Sequence, residues 1–171
     1  VKAAETSSAT FYLYFQDVSE VVLALIGGFN QTPPELLATL ETAWDGSEGR
    51  ARGERFVDSY VDTWRSRSAL LRVRNLACDE GDARFAEARR AAVFELMELM
   101  VTRVAERQAG GELPAGLNPT AASGALLAML ERIAVLPETG LLAQEGQAHM
   151  RQAAVFFAMT LFGGAFDARK N

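Results

Sequence analysis

Few residues in this chain of 171 are of a type and spacing that does chemistry. Glu145 and His149 stand four apart, so a helix puts both on one face, a common spacing for two metal ligands. No third ligand follows, and His149 is the only histidine. An exposed or capping histidine is the simpler reading. Cys78 has no histidine that the sequence places beside it, and it reads as a small buried hydrophobe. Glu95 and Glu98 form an acidic pair of the kind used in acid–base catalysis, but they fall on a charged, solvated helical face. No glycine-rich phosphate loop and no G-x-S-x-G elbow occurs. The chain is expected not to be an enzyme, with no metal and no cofactor.

A different chemistry is concentrated near Val1. The stretch SSATFYLYF, Ser7 to Phe15, sets hydroxyl groups beside four rings. Phe11 and Phe15, at i and i+4, share a face suited to packing. Tyr12 and Tyr14 carry hydroxyls that serve equally for structural hydrogen bonds or for contacts to a partner.

The elements that must position these groups are all helical. Apolar residues recur at three- and four-residue spacings nearly throughout, and strand-like alternation is hard to find. A short helix is expected over Ser8–Phe15. Asp17 and Glu20 form a capping box that opens Val18–Phe29. Thr32 is expected to cap a helix from Pro33 to about Ala43, closed by the polar stretch DGSEGRARG. Helices follow over Gly53–Arg67, Ala69–Cys78, Asp82–Ala109, Pro119–Leu136 and Leu142–Phe162, the last stopped at Gly163-Gly164.

Composition bounds the class. At 49% hydrophobic and 23% charged, the chain resembles an ordinary globular domain. Its single cysteine excludes an internal disulfide and fits a reducing compartment. No apolar leader segment is visible, so the cytoplasm is expected, and no run approaches the eighteen or so residues of a membrane span. A net charge of −5 argues against a generally basic surface, while leaving room for a local basic patch.

The first 25 residues, VKAAETSSATFYLYFQDVSEVVLAL, resemble the end of the DNA-binding domain of the tetracycline-repressor (TetR) family of bacterial transcription regulators. On that resemblance Lys2-Ala3-Ala4 is the tail of the second helix of a helix-turn-helix, and Glu5-Thr6 is its turn. Ser7 caps the recognition helix, Thr10 to Phe15 is its aromatic signature, and Asp17 opens the helix joining the two domains. The chain departs from the family at Glu5, where glycine is usual, at Ser8, often basic, and near Val18, commonly lysine. Fewer cations there weaken attraction to phosphate, the main source of affinity for DNA. A complete three-helix module would need roughly 25 to 40 residues ahead of Val1.

The resemblance implies an all-α fold: a partial N-terminal helix-turn-helix (residues 1–16) and a helical ligand-binding and dimerisation domain (17–171). It implies a repressor that binds double-stranded operator DNA and is released by a small molecule. DNA contacts are expected from Lys2, Ser7, Ser8, Thr10, Tyr12 and Tyr14, small or hydroxyl-bearing groups that suit base edges and phosphates.

Phe56, Tyr60 and Trp64 fall at i, i+4 and i+8 on one helical face, facing a second stripe of Arg89, Val93, Leu96 and Met100, with Met97 beside it. Such stripes make plain core or a pocket; the resemblance favours a pocket, with Met129 as a further adaptable wall. Arg89 needs a carboxylate, from the protein or from a ligand. The expected ligand is apolar or amphipathic. The last two helices, about 119–136 and 142–162, are apolar on more than one face and are expected to meet a second copy. A homodimer would read an inverted-repeat operator. The alternative is a dimeric small-molecule or partner-binding module without working DNA binding.

Overall fold

The computed structural model describes residues 8–28, 31–45, 48–140 and 143–163, and among them it contains eight helices and no strand. They are α1 (Ser8–Tyr14), α2 (Val18–Gly27), α3 (Pro34–Glu41), α4 (Gly49–Ser66), α5 (Ser68–Asp79), α6 (Ala83–Ala109), α7 (Pro119–Thr139) and α8 (Gln144–Phe162). The all-α expectation holds. The chain forms two compact units, Val1–Gln31 with Ala69–Ala92, and Thr32–Ser68 with Val93–Asn171.

In the first unit the capping box at α2 forms. Asp17 accepts from the Glu20 N–H at 2.7 Å, and Glu20 accepts from the N–H of Gln16 at 2.5 Å. The reciprocal bond thus lands one residue before the cap. Asp82 does the same for α6, accepting from the Arg84 N–H at 2.9 Å. α2 ends at Gly27 rather than Phe29.

In the second unit α4 packs against α3, α7 and α8, and α7 packs against α8. Two helix starts differ from the sequence reading. The N-cap of α3 is Pro33, not Thr32, and no side chain caps it. The reason is steric: a following proline drives the preceding residue to extended ψ, here 132° at Pro33, so the helix begins only at Pro34. α4 begins at Gly49, inside the polar stretch expected to be loop. There the backbone gains tertiary support that its composition does not advertise.

That support comes from Trp44. A Cβ on Gly49 would lie 2.4 Å from the Trp44 carbonyl oxygen, and one on Gly53 would meet the Trp44 ring at 3.3 Å and Met159 at 3.2 Å. The two glycines continue the buried face of α4 that carries Phe56, Tyr60 and Trp64. The Trp44 ring meets Phe56 and Phe162 edge-on, at centroid separations of 5.7 and 5.4 Å. Its indole N–H donates to the Thr39 carbonyl at 2.6 Å, and its backbone forms an isolated bridge with Gly163.

α7 runs past Leu136 to Thr139 and is closed by Gly140 in the left-handed region (φ 64°). At its other end the Asn118 side chain accepts from the Ala121 N–H at 2.9 Å. The Pro119–Leu136 window is, by length and composition alone, apolar enough to cross a membrane, which corrects the reading that no run approaches that length. It is 44% buried and packs on α4 and α8, as a core helix does.

Gly49→Ala should lower stability by about 1–3 kcal/mol, because the close neighbour is backbone and cannot swing away. Gly53→Ala should cost less, since its neighbours, Met159 at 3.2 Å and the Trp44 ring edge and Val155 at 3.3 Å, are side chains at greater distance rather than backbone at 2.4 Å. Chemical denaturation of both variants checks the order; equal midpoints would contradict it.

Candidate functional site

α1 carries no charged side chain. Its Phe11 and Phe15 are half-buried and in ring contact at 5.6 Å, as their spacing predicts. Tyr12 packs edge-on against Phe11 at 5.2 Å yet remains exposed, as does Tyr14. Thr10 is half-buried. Ser8 opens the helix, while Lys2 and Ser7 lie outside the described residues.

Leu13 escaped the sequence reading. It is 80% exposed, the most exposed large apolar side chain among the described residues. The signal was present in the register: two residues from both Phe11 and Phe15, it falls about 200° away around a helix and so on the opposite face. α1 thus packs through Phe11 and Phe15 and offers Tyr12, Leu13 and Tyr14 outward.

The exit from this helix is tied down. Arg84, in the first turn of α6, donates to Asp17 at 3.2 Å and to Asp82 at 2.8 Å. The Glu20 N–H, and next the Arg84 guanidinium, hold the Asp17 carboxyl below the usual aspartate range. Arg84 does the same for Asp82, and its own guanidinium is pushed further toward the charged form. A carboxyl whose pKa is depressed on folding adds stability that is complete above the unfolded value, about 4, and fades as pH falls through the folded one.

The expected ligand residues divide between the two units. Phe56, Tyr60, Trp64, Leu96 and Met100 are buried in the second, where Val93, Met97 and Met129 are half-buried. Arg89 belongs to the first unit and lies 4.0 Å from the Asp79 carboxylate. A protein carboxylate is therefore within reach of that guanidinium. Phe56 also joins the ring cluster of Trp44 and Phe162, neither of which the sequence reading named.

Two further residues emerge only from the structure. Arg103 donates through Nε to the Leu40 carbonyl at 2.6 Å and through a terminal nitrogen to the Glu41 carbonyl, at the end of α3. Arg107, one turn later, donates to the Thr160 carbonyl at 2.8 Å, in the last turn of α8. Each guanidinium thus satisfies carbonyls that a helix end leaves without intrahelical partners, where positive charge is favoured. Glu106 and Glu112 neutralise them at 3.0 and 3.1 Å.

A cleft of about 120 Å³ opens beside these arginines, walled by Leu40, Trp44 and Phe162. None of the expected ligand residues lines it, and it is smaller than the several hundred Å³ that hold a drug-sized ligand. His149 and Glu145 are exposed, and Cys78 is a half-buried free thiol. Among the described residues no three His, Cys, Asp or Glu side chains gather into a metal-binding group.

The described residues form eight helices, with exposed aromatic side chains on α1 in the first unit and a buried helical core in the second. A family model described as "Tetracyclin repressor-like, C-terminal domain" matches residues 36–161. That span is more than half of the chain, running from α3 into α8, and the chain belongs to the tetracycline-repressor-like family of regulators. No curated protein matches the sequence.

Arg103→Met should destabilise the fold by about 1 kcal/mol, because two carbonyls at the end of α3, one of them part-buried, lose their donor. Arg103→Lys should recover only part of this, since one ammonium does not reproduce the fork that meets two carbonyls. Thermal unfolding measures both. Separately, Arg84→Ala should raise the Asp17 pKa, read by NMR titration of its carboxyl carbon; an unchanged midpoint would contradict the tie.

Proposed function

We propose that this chain is part of a DNA-binding transcriptional repressor, released from its operator by a small apolar or amphipathic ligand. The observation that carries the reading is the outward face of α1. Tyr12, Leu13 and Tyr14 are exposed on a helix without carboxylates, directly ahead of the capped start of α2. Such a face approaches phosphate without charge repulsion, and its hydroxyls donate to phosphate oxygens.

Residues 1–16 are read as the end of the helix-turn-helix, with Lys2, Ser7, Ser8, Thr10, Tyr12 and Tyr14 as DNA contacts. Residues 17–171 are read as the ligand-binding and dimerisation domain. Phe56, Tyr60, Trp64, Val93, Leu96, Met97, Met100 and Met129 are read as the ligand-binding residues. Dimerisation through α7 and α8 is supported by Phe156, 57% exposed on a helix whose other face is core. The two-fold dimer reads an inverted repeat in the cytoplasm of a bacterium. The work is binding and release, with no catalysis.

Release requires a two-state equilibrium in which the ligand favours the arrangement that does not fit DNA. The test uses the full-length protein and DNA from upstream of its own gene, at low salt. Binding is expected, and Tyr12→Ala should weaken it roughly tenfold, the loss of one charge-assisted hydrogen bond, with unchanged helical circular dichroism. Failure to bind DNA would replace this reading with a dimeric small-molecule or partner-binding module.

A further inference from the structure

The chain has two tryptophans, and their indole N–H groups have opposite fates. Trp44 donates to the Thr39 carbonyl at 2.6 Å. Trp64 is only 3% exposed, and its Nε1 has no hydrogen-bond partner among the described residues. A buried indole N–H almost always finds an acceptor, because leaving it unpaired carries its whole desolvation penalty. Phenylalanine would fill the same apolar face of α4 without that penalty.

Three other buried polar atoms, Arg52 Nε, Ser123 Oγ and Glu131 Oε1, make no hydrogen bond among the described residues, though the Arg52 and Glu131 side chains are engaged through their other atoms. Ser123 is a weaker signal than Trp64. A serine hydroxyl rotates and can turn back to its own helix carbonyls, whereas an indole N–H is a rigid donor with no local recourse. The two atoms also sit toward opposite ends of the bundle. Gly53 lies against Val155 and Met159, and Asp58 lies 3.2 Å from Arg151, so α4 runs antiparallel to α8. Trp64, further along α4, is therefore level with the start of α8. α7 and α8 pack as a tightly connected hairpin, so Ser123, early in α7, lies toward the end of α8.

We propose that the Trp64 N–H is the hydrogen-bonding anchor of the ligand site, and that the ligand is a largely apolar molecule carrying a neutral acceptor oxygen, a carbonyl or ether. This rests on the reading of the second unit as ligand-binding. A neutral acceptor is favoured over a carboxylate because a single N–H does not compensate a buried charge. The preceding turn of α4 carries the buried Tyr60 and Val61 on the same face, which supply apolar contact, so the single donor sets orientation and class.

The test compares propiophenone with propylbenzene, which share ring and chain length and differ at the ketone. Binding to the chain is followed in ¹⁵N–¹H spectra, where the two indole signals are told apart with Trp64→Phe. The ketone should bind about tenfold more tightly than the hydrocarbon and move the Trp64 indole signal downfield, leaving that of Trp44 in place. Trp64→Phe should bind the two equally. Equal binding by the unaltered chain, or a preference that survives in Trp64→Phe, overturns the anchor while leaving the pocket intact. If neither probe binds, the ligand-site reading falls and the anchor with it. Should Trp64→Phe fail to fold, the two affinities of the unaltered chain and its indole signals, assigned by nuclear Overhauser contacts within the protein, decide the matter.

Discussion

The second unit depends on how Trp44 is buried. Its ring is wedged edge-on between Phe56 of α4 and Phe162 of α8, and its N–H is held by the carbonyl of Thr39 in α3. Its own carbonyl sits where only a glycine can pass, at Gly49. One residue in a short connection thus fixes the end of α3, the start of α4 and the end of α8. From the remaining side Arg103 and Arg107 of α6 close the same corner on the last carbonyls of α3 and α8. Rings supply the buried area, and the guanidiniums satisfy helix-end carbonyls that lack partners within their own helices.

A corner held from so many sides is a poor place for change. The far end of α4 is different, for there Trp64 is as deeply buried as Trp44 but lacks the hydrogen bond. A regulator needs one rigid region to hold the architecture and another whose best arrangement depends on an occupant. On the proposed reading, an occupant that meets this donor favours the arrangement in which the donor is unpaired, and only such a difference shifts an equilibrium. The junction of α1 and α2 works through a different currency. Exposed carboxylates around Arg84 contribute little energy, but they set direction by joining the first turn of α6 to the cap that follows α1.

Much of this was legible beforehand. The i, i+4, i+8 spacing of Phe56, Tyr60 and Trp64 places all three on the buried face of α4. The Asp17–Glu20 box marks the start of α2, and Gly163 ends α8. The resemblance in the first 25 residues pointed to the family that the match over 36–161 shows. These features are local: a helix repeats every 3.6 residues and its ends need partners within one turn, so a short window of sequence contains the whole cause.

The tertiary structure decided what no window holds. The polar, glycine-rich run before Phe56 reads as loop until Trp44 is found against Gly49 and Gly53. Arg103 and Arg107 read as solvated charges until the ends of α3 and α8 arrive beside them, each carbonyl more than fifty residues away along the chain. Trp64 reads like Trp44, and only the packed bundle leaves one indole paired and the other not. The sequence by itself determined which residues turn inward and which family the chain joins, because periodicity and motif are properties of neighbours. Which polar atoms find partners once inside depends on elements distant in the chain, so only the packed fold decided it.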